Sequence, residues 1–378
     1  MPVFEFASAG RIVFGEGAVR QVPAAARSMG RRALLVTGAT PGRAEPLRHA
    51  LEAAGMEVAT FAVSGEPTVD LVRRAPRDCD VVIAFGGGSV LDAGKAIAAL
   101  ATNPGDPIDY LEVVGLGRPL TNAAAPCIAI PTTAGTGSEV TRNAVLASTQ
   151  HGVKASLRSV SMLPRMAVVD PELTYELPPA LTASTGLDAL TQLIEPYLSV
   201  KANLMTDQFC VEGMRRAAAA LPRVWRDPGD GEARAGMAWA SLLGGLALAN
   251  AGLGAVHGFA APIGGMFPAP HGAVCAAILP HAMAVNVRAV SARAPDRLAR
   301  FHEVGRILTG RSQAVAEDGA RWLAELCAEL EVPRLRSYGV TESDLPTLVE
   351  KAAQASSMKG NAIPLTQEEL HEIVSRAL

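Results

Sequence analysis

The sequence predicts two domains: an α/β domain over residues 1–177 built on a parallel sheet, then an all-helical domain over 178–378. Three observations predict this. At 378 residues the chain is too long for one ordinary domain, since these run to roughly 100–200 residues. Its first half alternates continuous apolar runs with helix-like segments, the pattern of a parallel sheet covered on both faces. After Asp170-Pro171-Glu172 the strand signals stop, and beyond Leu177-Pro178-Pro179-Ala180 nearly everything has helical period and is rich in Ala and Leu.

Residues 32–38, Arg-Ala-Leu-Leu-Val-Thr-Gly, read as a buried strand, succeeded by a helical segment through Ala50 to Gly55. Glu57 to Val63 is a second strand. Asp80 to Phe85 is a third, running into Gly86-Gly87-Gly88 and a helix to Thr102. Cys127 to Pro131 is a fourth, ending in a Thr/Gly-rich loop. In the second half, Asp227 to Gly231 is a loop between helices.

Composition narrows the class. Hydrophobic residues make up 49% and charged residues 19%, below the ~25% typical of globular chains, so a large core is expected and global disorder is excluded. With 34 basic against 37 acidic residues there is no excess of positive charge to neutralise a phosphate backbone. Nucleic-acid binding as a main function is therefore not expected. Five scattered cysteines without a CxxC pair read as reduced thiols of a cytoplasmic protein. The start, Met1-Pro2-Val3-Phe4-Glu5, has no basic region leading into an apolar run, so no secretory signal is expected.

Residues 235–287 contain no charged side chain. A membrane span needs roughly 20 apolar residues, and Gly236 to Val256 nearly supplies them. Pro262, Pro268 and Pro270 interrupt the stretch beyond Val256, and Asn250, His257 and His271 lie inside the uncharged zone. A helix buried on all sides is the better reading, with no membrane partner.

Three groups of residues could carry chemistry. Gly86-Gly87-Gly88-Ser89 with Asp92 sits where a strand opens into a helix, so free backbone N–H groups at a positive helix end could cradle a pyrophosphate. It is neither a Walker A loop nor GxGxxG, and alone it reads equally as a tight turn. The loop from Thr132 and Thr133 through Ser138 to Glu139 comes after another strand end, on the edge where open parallel sheets bind ligands; a plain polar loop is the other reading. Asp188 and Gln192 are four apart on one helix face, and His257 and His271 each precede a glycine. A carboxylate and two imidazoles on separate helices can converge on a divalent metal, although either histidine alone reads more readily as a hydrogen-bonded core residue.

Taken together and in this order, these signals resemble the iron-containing (group III) alcohol dehydrogenase family across essentially the whole chain. The specific marks are Gly86-Gly87-Gly88-Ser89 with Asp92 and Lys95, the Thr132–Glu139 loop, Gly186-Leu187-Asp188-Ala189-Leu190-Thr191, and the two His-Gly pairs. The resemblance implies a Rossmann-like dinucleotide-binding domain, a helical domain of the dehydroquinate synthase-like fold, and an active site in the cleft between them. It implies that Asp188, His257 and His271 ligate a metal, Fe2+ or alternatively Zn2+, and serve catalysis. It also implies that Gly38, the Gly86–Ser89 turn with Asp92, and Thr132, Thr133, Ser138 and Lys154 serve an NAD or NADP cofactor. The expected activity is hydride transfer between nicotinamide and a small alcohol, aldehyde or ketone. A homodimer is the default assembly.

Three positions depart from the family pattern. Gln192 stands where a third histidine is usual, and its neutral amide oxygen is a weaker ligand. Ala261 stands where a proton-relay histidine often occurs. Gly38 replaces an aspartate that holds the ribose hydroxyls, and Arg43 lies close enough in sequence to favour a 2′-phosphate. Two alternatives stay open: a metal-free enzyme resembling maleylacetate reductases, favoured by Gln192, and a lyase resembling dehydroquinate synthase. Against the lyase, the apolar region of the helical half has too few basic residues to grip a phosphorylated, carboxylated sugar.

Overall fold

The computed structural model describes residues 3–378. The reading of the N-terminus as lacking a signal begins at Met1 and Pro2, which lie outside the described residues. The chain divides into two compact units. One comprises residues 6–133 and 137–175; the other comprises 3–5, 134–136 and 176–378.

In the first unit the order is β1 (Ile12–Phe14), α1 (Val22–Arg27), β2 (Arg32–Thr37), α2 (Glu45–Ala53), β3 (Glu57–Ala62), α3 (Val69–Arg74), β4 (Val81–Gly86) and α4 (Gly88–Thr102). Then come α5 (Pro107–Tyr110), β5 (Cys127–Pro131), β6 (Asn143–Ser148), β7 (Val153–Arg158) and β8 (Met166–Val169). Six strands form one parallel sheet in the order β1-β8-β5-β4-β2-β3. All of β4 and β5 is buried, which is why both read as unbroken apolar runs. Leu34, Val36 and Val82 face α4, while Leu35, Ile83 and Ile128 pack with Val22, Leu47 and Leu51 of α1 and α2.

The four strands expected from sequence are present within a residue or so of the expected limits. Two further sheet strands, β1 and β8, escape a sequence reading because they span only three and four residues. β6 and β7 form a separate antiparallel pair, turned by Gly152 at φ +61°.

The topology sets the ligand edge. From β2 the chain moves outward to β3, then returns to the other side of β2 as β4 and continues to β5. The switch point therefore lies between the carboxyl ends of β2 and β4, where open parallel sheets leave a crevice. Gly38 comes directly after β2, and Gly86 ends β4. The helix after β4 lies very close to the sheet because Gly94 has no side chain: a Cβ there would sit 2.6 Å from the Ala84 Cβ.

The second unit is helical: α6 (Pro179–Leu198), α7 (Leu204–Arg226), α8 (Gly231–Ala251), α9 (Ala255–Met266), α10 (His271–Arg293), α11 (Leu298–Thr309), α12 (Ala316–Glu329), α13 (Leu345–Gln354) and α14 (Gln367–Ala377). The uncharged zone becomes α8 through α10. The single helix expected through Val256 is instead broken: α8 ends at Ala251, Gly252 turns at φ +72°, and α9 leaves at 97° to α8. Pro262, expected as a breaker, lies inside α9. By length and composition α10 could cross a membrane, but 83% of its apolar window is buried inside the protein.

The Gly94 contact yields a stability prediction. Gly94→Ala should destabilise the protein by about 1–3 kcal/mol through overpacking against Ala84, despite alanine's better helix propensity. Urea unfolding of both proteins checks this; an unchanged or raised midpoint would show that α4 moves off the sheet at no cost.

Candidate metal centre and sheet-edge site

Three helices of the second unit bring titratable groups to one place. Asp188, in the middle of α6, is 1% exposed. Its Oδ1 lies 3.3 Å from His257 Nε2 on α9 and 3.8 Å from His271 Nε2 on α10, yet it accepts no hydrogen bond. Cys275 Sγ, one turn beyond His271 on α10, is 3.8 Å from His257 Nε2 and 3.7 Å from His271 Nε2. One donor atom from each of Asp188, His257, His271 and Cys275 lies within 4.8 Å of all the others.

The backbone explains how these groups meet. Glu195, two turns beyond Asp188 on α6, accepts from the Val256 N–H at 2.7 Å and holds His257 Nδ1 at 2.7 Å. It thereby serves as an acidic cap at the amino end of α9, and Asn361 Oδ1 accepts the Ala255 N–H at 3.1 Å beside it. With Nδ1 bonded to a carboxylate, His257 presents Nε2 inward, the usual support of a metal-bound imidazole. His271 opens α10, and the glycine after it lets that helix touch α6: a Cβ at Gly272 would lie 2.6 Å from the Ser184 carbonyl oxygen.

The electrostatics of the cluster favour added positive charge. Burial alone would raise the Asp188 pKa, but the charges of His271 and then His257 hold it below the usual carboxylate range. Burial opposes charging of His257, yet Cys275, Glu195 and Asp188 raise its pKa well above the ordinary histidine value. The neighbouring sulfur of Cys275 does most to push His271 up to about 9. The His271 side chain is 36% exposed and forms the open edge of the group.

Gln192 is 3% exposed, and its Oε1 has no hydrogen-bond partner. Two buried acceptor oxygens one helical turn apart, on Asp188 and Gln192, thus lack donors. Such atoms are costly unless something pairs with them, and with the donor set at hand this place fits a divalent cation.

In the first unit the glycine turn and the threonine loop come together at the sheet edge. Gly87 caps α4 in an extended conformation, and the Thr132 N–H donates to the Gly86 carbonyl at 3.0 Å. A Cβ on Gly87 would meet Thr133 Cγ2 at 3.4 Å. The opening N–H groups of α4, from Gly88 and Ser89, have no intrahelical acceptors. Gly38 lies at the same edge, with nothing nearer its notional Cβ than Val90 at 3.9 Å.

Comparison with known proteins decides the lineage. Residues 9–171 match the family described as "Iron-containing alcohol dehydrogenase", and residues 182–378 match "Fe-containing alcohol dehydrogenase family, C-terminal". The chain belongs to the iron-containing alcohol dehydrogenase family. It is 36% identical to 1,3-propanediol dehydrogenase of Klebsiella pneumoniae, covering 96% of each chain. It is 34% identical to alcohol dehydrogenase 4 of Saccharomyces cerevisiae (strain YJM789), again covering 96% of each. The solved structure of a 1,3-propanediol oxidoreductase superimposes with a TM-score of 0.92 at 34% identity, covering 100% of both chains.

This dehydrogenase is therefore an oxidoreductase acting on the CH–OH group of alcohols, from a family that implies a metal and NAD(H). The reductase and lyase alternatives are not favoured by these relatives. Of the residues read from sequence, Asp188, His257 and His271 converge, and Gln192 lies one turn from Asp188 with its oxygen unpaired.

Asp92 and Ser138, read as cofactor contacts, hold each other. Ser138 Oγ donates to Asp92 Oδ1 at 2.6 Å, and Asp92 Oδ2 accepts the Val145 N–H at 2.9 Å. Buried Lys95 donates to the Ser138 carbonyl and to Thr141 Oγ1, both at 2.9 Å, and pairs with Asp92 at 3.2 Å. Asp92 thus fixes the loop onto α4 and β6. Lys154 forms an ion pair with Glu66 at 3.1 Å.

Sequence reading missed Glu195 and Cys275. Both carried a signal: Glu195 is seven residues after Asp188 and Cys275 four after His271, spacings that return to the same helix face.

The same loop buries Glu139, whose carboxyl desolvation pushes its pKa up to about 7. The folded state therefore holds this proton more tightly than the unfolded chain, so stability falls as pH rises from about 4.5 to 7 and then levels off. Glu139→Gln should remove that dependence and stabilise the enzyme at pH 8 by up to about 3 kcal/mol, with little gain at pH 4.5. Thermal unfolding at the two pH values checks this; an equal effect at both would refute a protonation origin.

Proposed function

We propose that this dehydrogenase interconverts a small alcohol with its aldehyde or ketone, using NAD(H) or NADP(H) and a divalent ion held by Asp188, His257 and His271, with Gln192, one turn from Asp188, as the sequence-based candidate for a fourth ligand. Fe2+ is the expected ion and Zn2+ the alternative. The convergence of buried donors around the unpaired Asp188 Oδ1 is the observation that supports this most. The substrate class is that of the propanediol and alcohol dehydrogenases among its relatives. Five free cysteines suit a reducing cytoplasm, and a homodimer is the expected assembly.

When bound, the ion supplies Lewis acidity to the substrate oxygen and the nicotinamide supplies the hydride acceptor or donor. Asp188 contributes the negative charge that makes the buried site hospitable to a dication. Glu195 fixes the His257 ring so that Nε2 points at Asp188. His271 marks the side open to an incoming alcohol. Ala261 is exposed on α9 and offers no titratable group to the alcohol proton. The amino end of α4 and the Thr132–Thr133 backbone would hold the cofactor pyrophosphate, and Gly38 would serve its adenosine ribose. Asp92 and Ser138 act by fixing that loop.

Asp188→Ala and His271→Ala should each abolish metal retention and alcohol-dependent NAD(P)+ reduction, measured by elemental analysis and absorbance. Full turnover by metal-stripped wild type would instead favour the metal-free reductase.

At the ribose, the enzyme should use NADPH at least as well as NADH, because no carboxylate stands at position 38 to repel a 2′-phosphate. A Cβ at Gly38 meets no neighbour closer than 3.9 Å, and Gly38→Asp should shift preference toward NADH. The ratio of kcat/KM values for the two cofactors checks this, and a hundredfold preference for NADH in the wild type would contradict it.

A further inference from the structure

Gln192 and Cys275 are rival candidates to complete the ligand set, and they differ in chemistry. The amide oxygen of Gln192 is neutral and hard. A Cys275 thiolate is charged and soft, and Cys275 is fully buried against both imidazoles. We propose that Cys275 Sγ is a ligand of the ion, so that Asp188, His257, His271 and Cys275 form a mixed oxygen, nitrogen and sulfur set. The proposal rests on the proposed function, in which an ion binds here.

The distances support it. Bonds of ~2.0–2.2 Å to nitrogen or oxygen and ~2.3 Å to sulfur, at tetrahedral angles, place donor atoms roughly 3.3–3.6 Å apart. The side chains already stand close to that: 3.3 and 3.8 Å from Asp188 Oδ1 to the two Nε2 atoms, and 3.8 and 3.7 Å from Cys275 Sγ to the same atoms. Asp188 Oδ1, buried and without a hydrogen bond, points into the same space. Asp188 and His257 sit on separate helices, while His271 and Cys275 share one face of α10, so the four donors approach from three helices. Charge closes as well. When the sulfur–metal bond forms, the thiol proton passes to solvent, and one carboxylate plus one thiolate neutralise a dication.

The test uses the full-length protein, stripped of metal and titrated anaerobically with Co2+, a spectroscopic stand-in for Zn2+. Wild type should bind one Co2+ per chain with a near-ultraviolet thiolate-to-cobalt charge-transfer band. Gln192→Ala should keep that band. Cys275→Ala should lose it and bind Co2+ at least about 10-fold more weakly. A stoichiometric wild-type Co2+ complex without the band would overturn the assignment of Cys275 and leave the ion site standing. A wild type that takes up no Co2+ would overturn both. The wild-type spectrum decides even if Cys275→Ala fails to fold.

Discussion

A carboxylate that is 1% exposed must be compensated where it lies, and Asp188 sets that demand on the helical unit. Removing a charge from water without a partner costs several kcal/mol, and Asp188 Oδ1 has no hydrogen bond to offset it. Three helices answer the demand. α9 carries an imidazole that Glu195 orients, α10 carries another at its first residue, and both helices pack where small residues permit close approach. The raised pKa values of His257 and His271 express the same physics: the cluster draws in positive charge, as protons or as a dication.

Glu195 links this chemistry to the fold. One carboxylate oxygen receives the Val256 N–H at the start of α9 and the other holds the His257 ring two atoms from its inward-facing nitrogen. The break between α8 and α9, turned by Gly252, is what frees those amino-terminal N–H groups to be capped from α6. An unbroken helix through Val256 would have engaged them with its own carbonyls and left Glu195 buried without donors. The sheet-bearing unit shows a comparable division of labour. Asp92 uses its two oxygens to tie the Ser138 loop and β6 to α4, leaving backbone N–H groups rather than side chains at the sheet edge.

These dependencies explain which parts of the protein were legible in its sequence. β2, β3, β4 and β5 were legible as apolar runs, whereas β1 and β8 were too short to stand out. Asp188, His257 and His271 stood out because charged or imidazole groups are conspicuous in apolar helices. Cys275 did not, since a buried cysteine among Ala, Val and Ile looks like packing. Glu195 was obscured because nothing local connects it to a histidine 62 positions later in the chain. The fold of α9 back onto α6 makes that connection, and the sequence pattern predicted a continuous helix there instead.

Ligand identity and ligand placement are carried by different features. Placement depends on contacts that tolerate no added atom, such as Gly272 against the Ser184 carbonyl. Identity depends on which side chains stand one turn away: Gln192 beyond Asp188 on α6, Cys275 beyond His271 on α10. Cys275 stands against both imidazoles, so a donor weakened at position 192 on α6 can be supplied from α10 without moving the backbone. The three remaining donors and the open side at His271 stay where the helices put them.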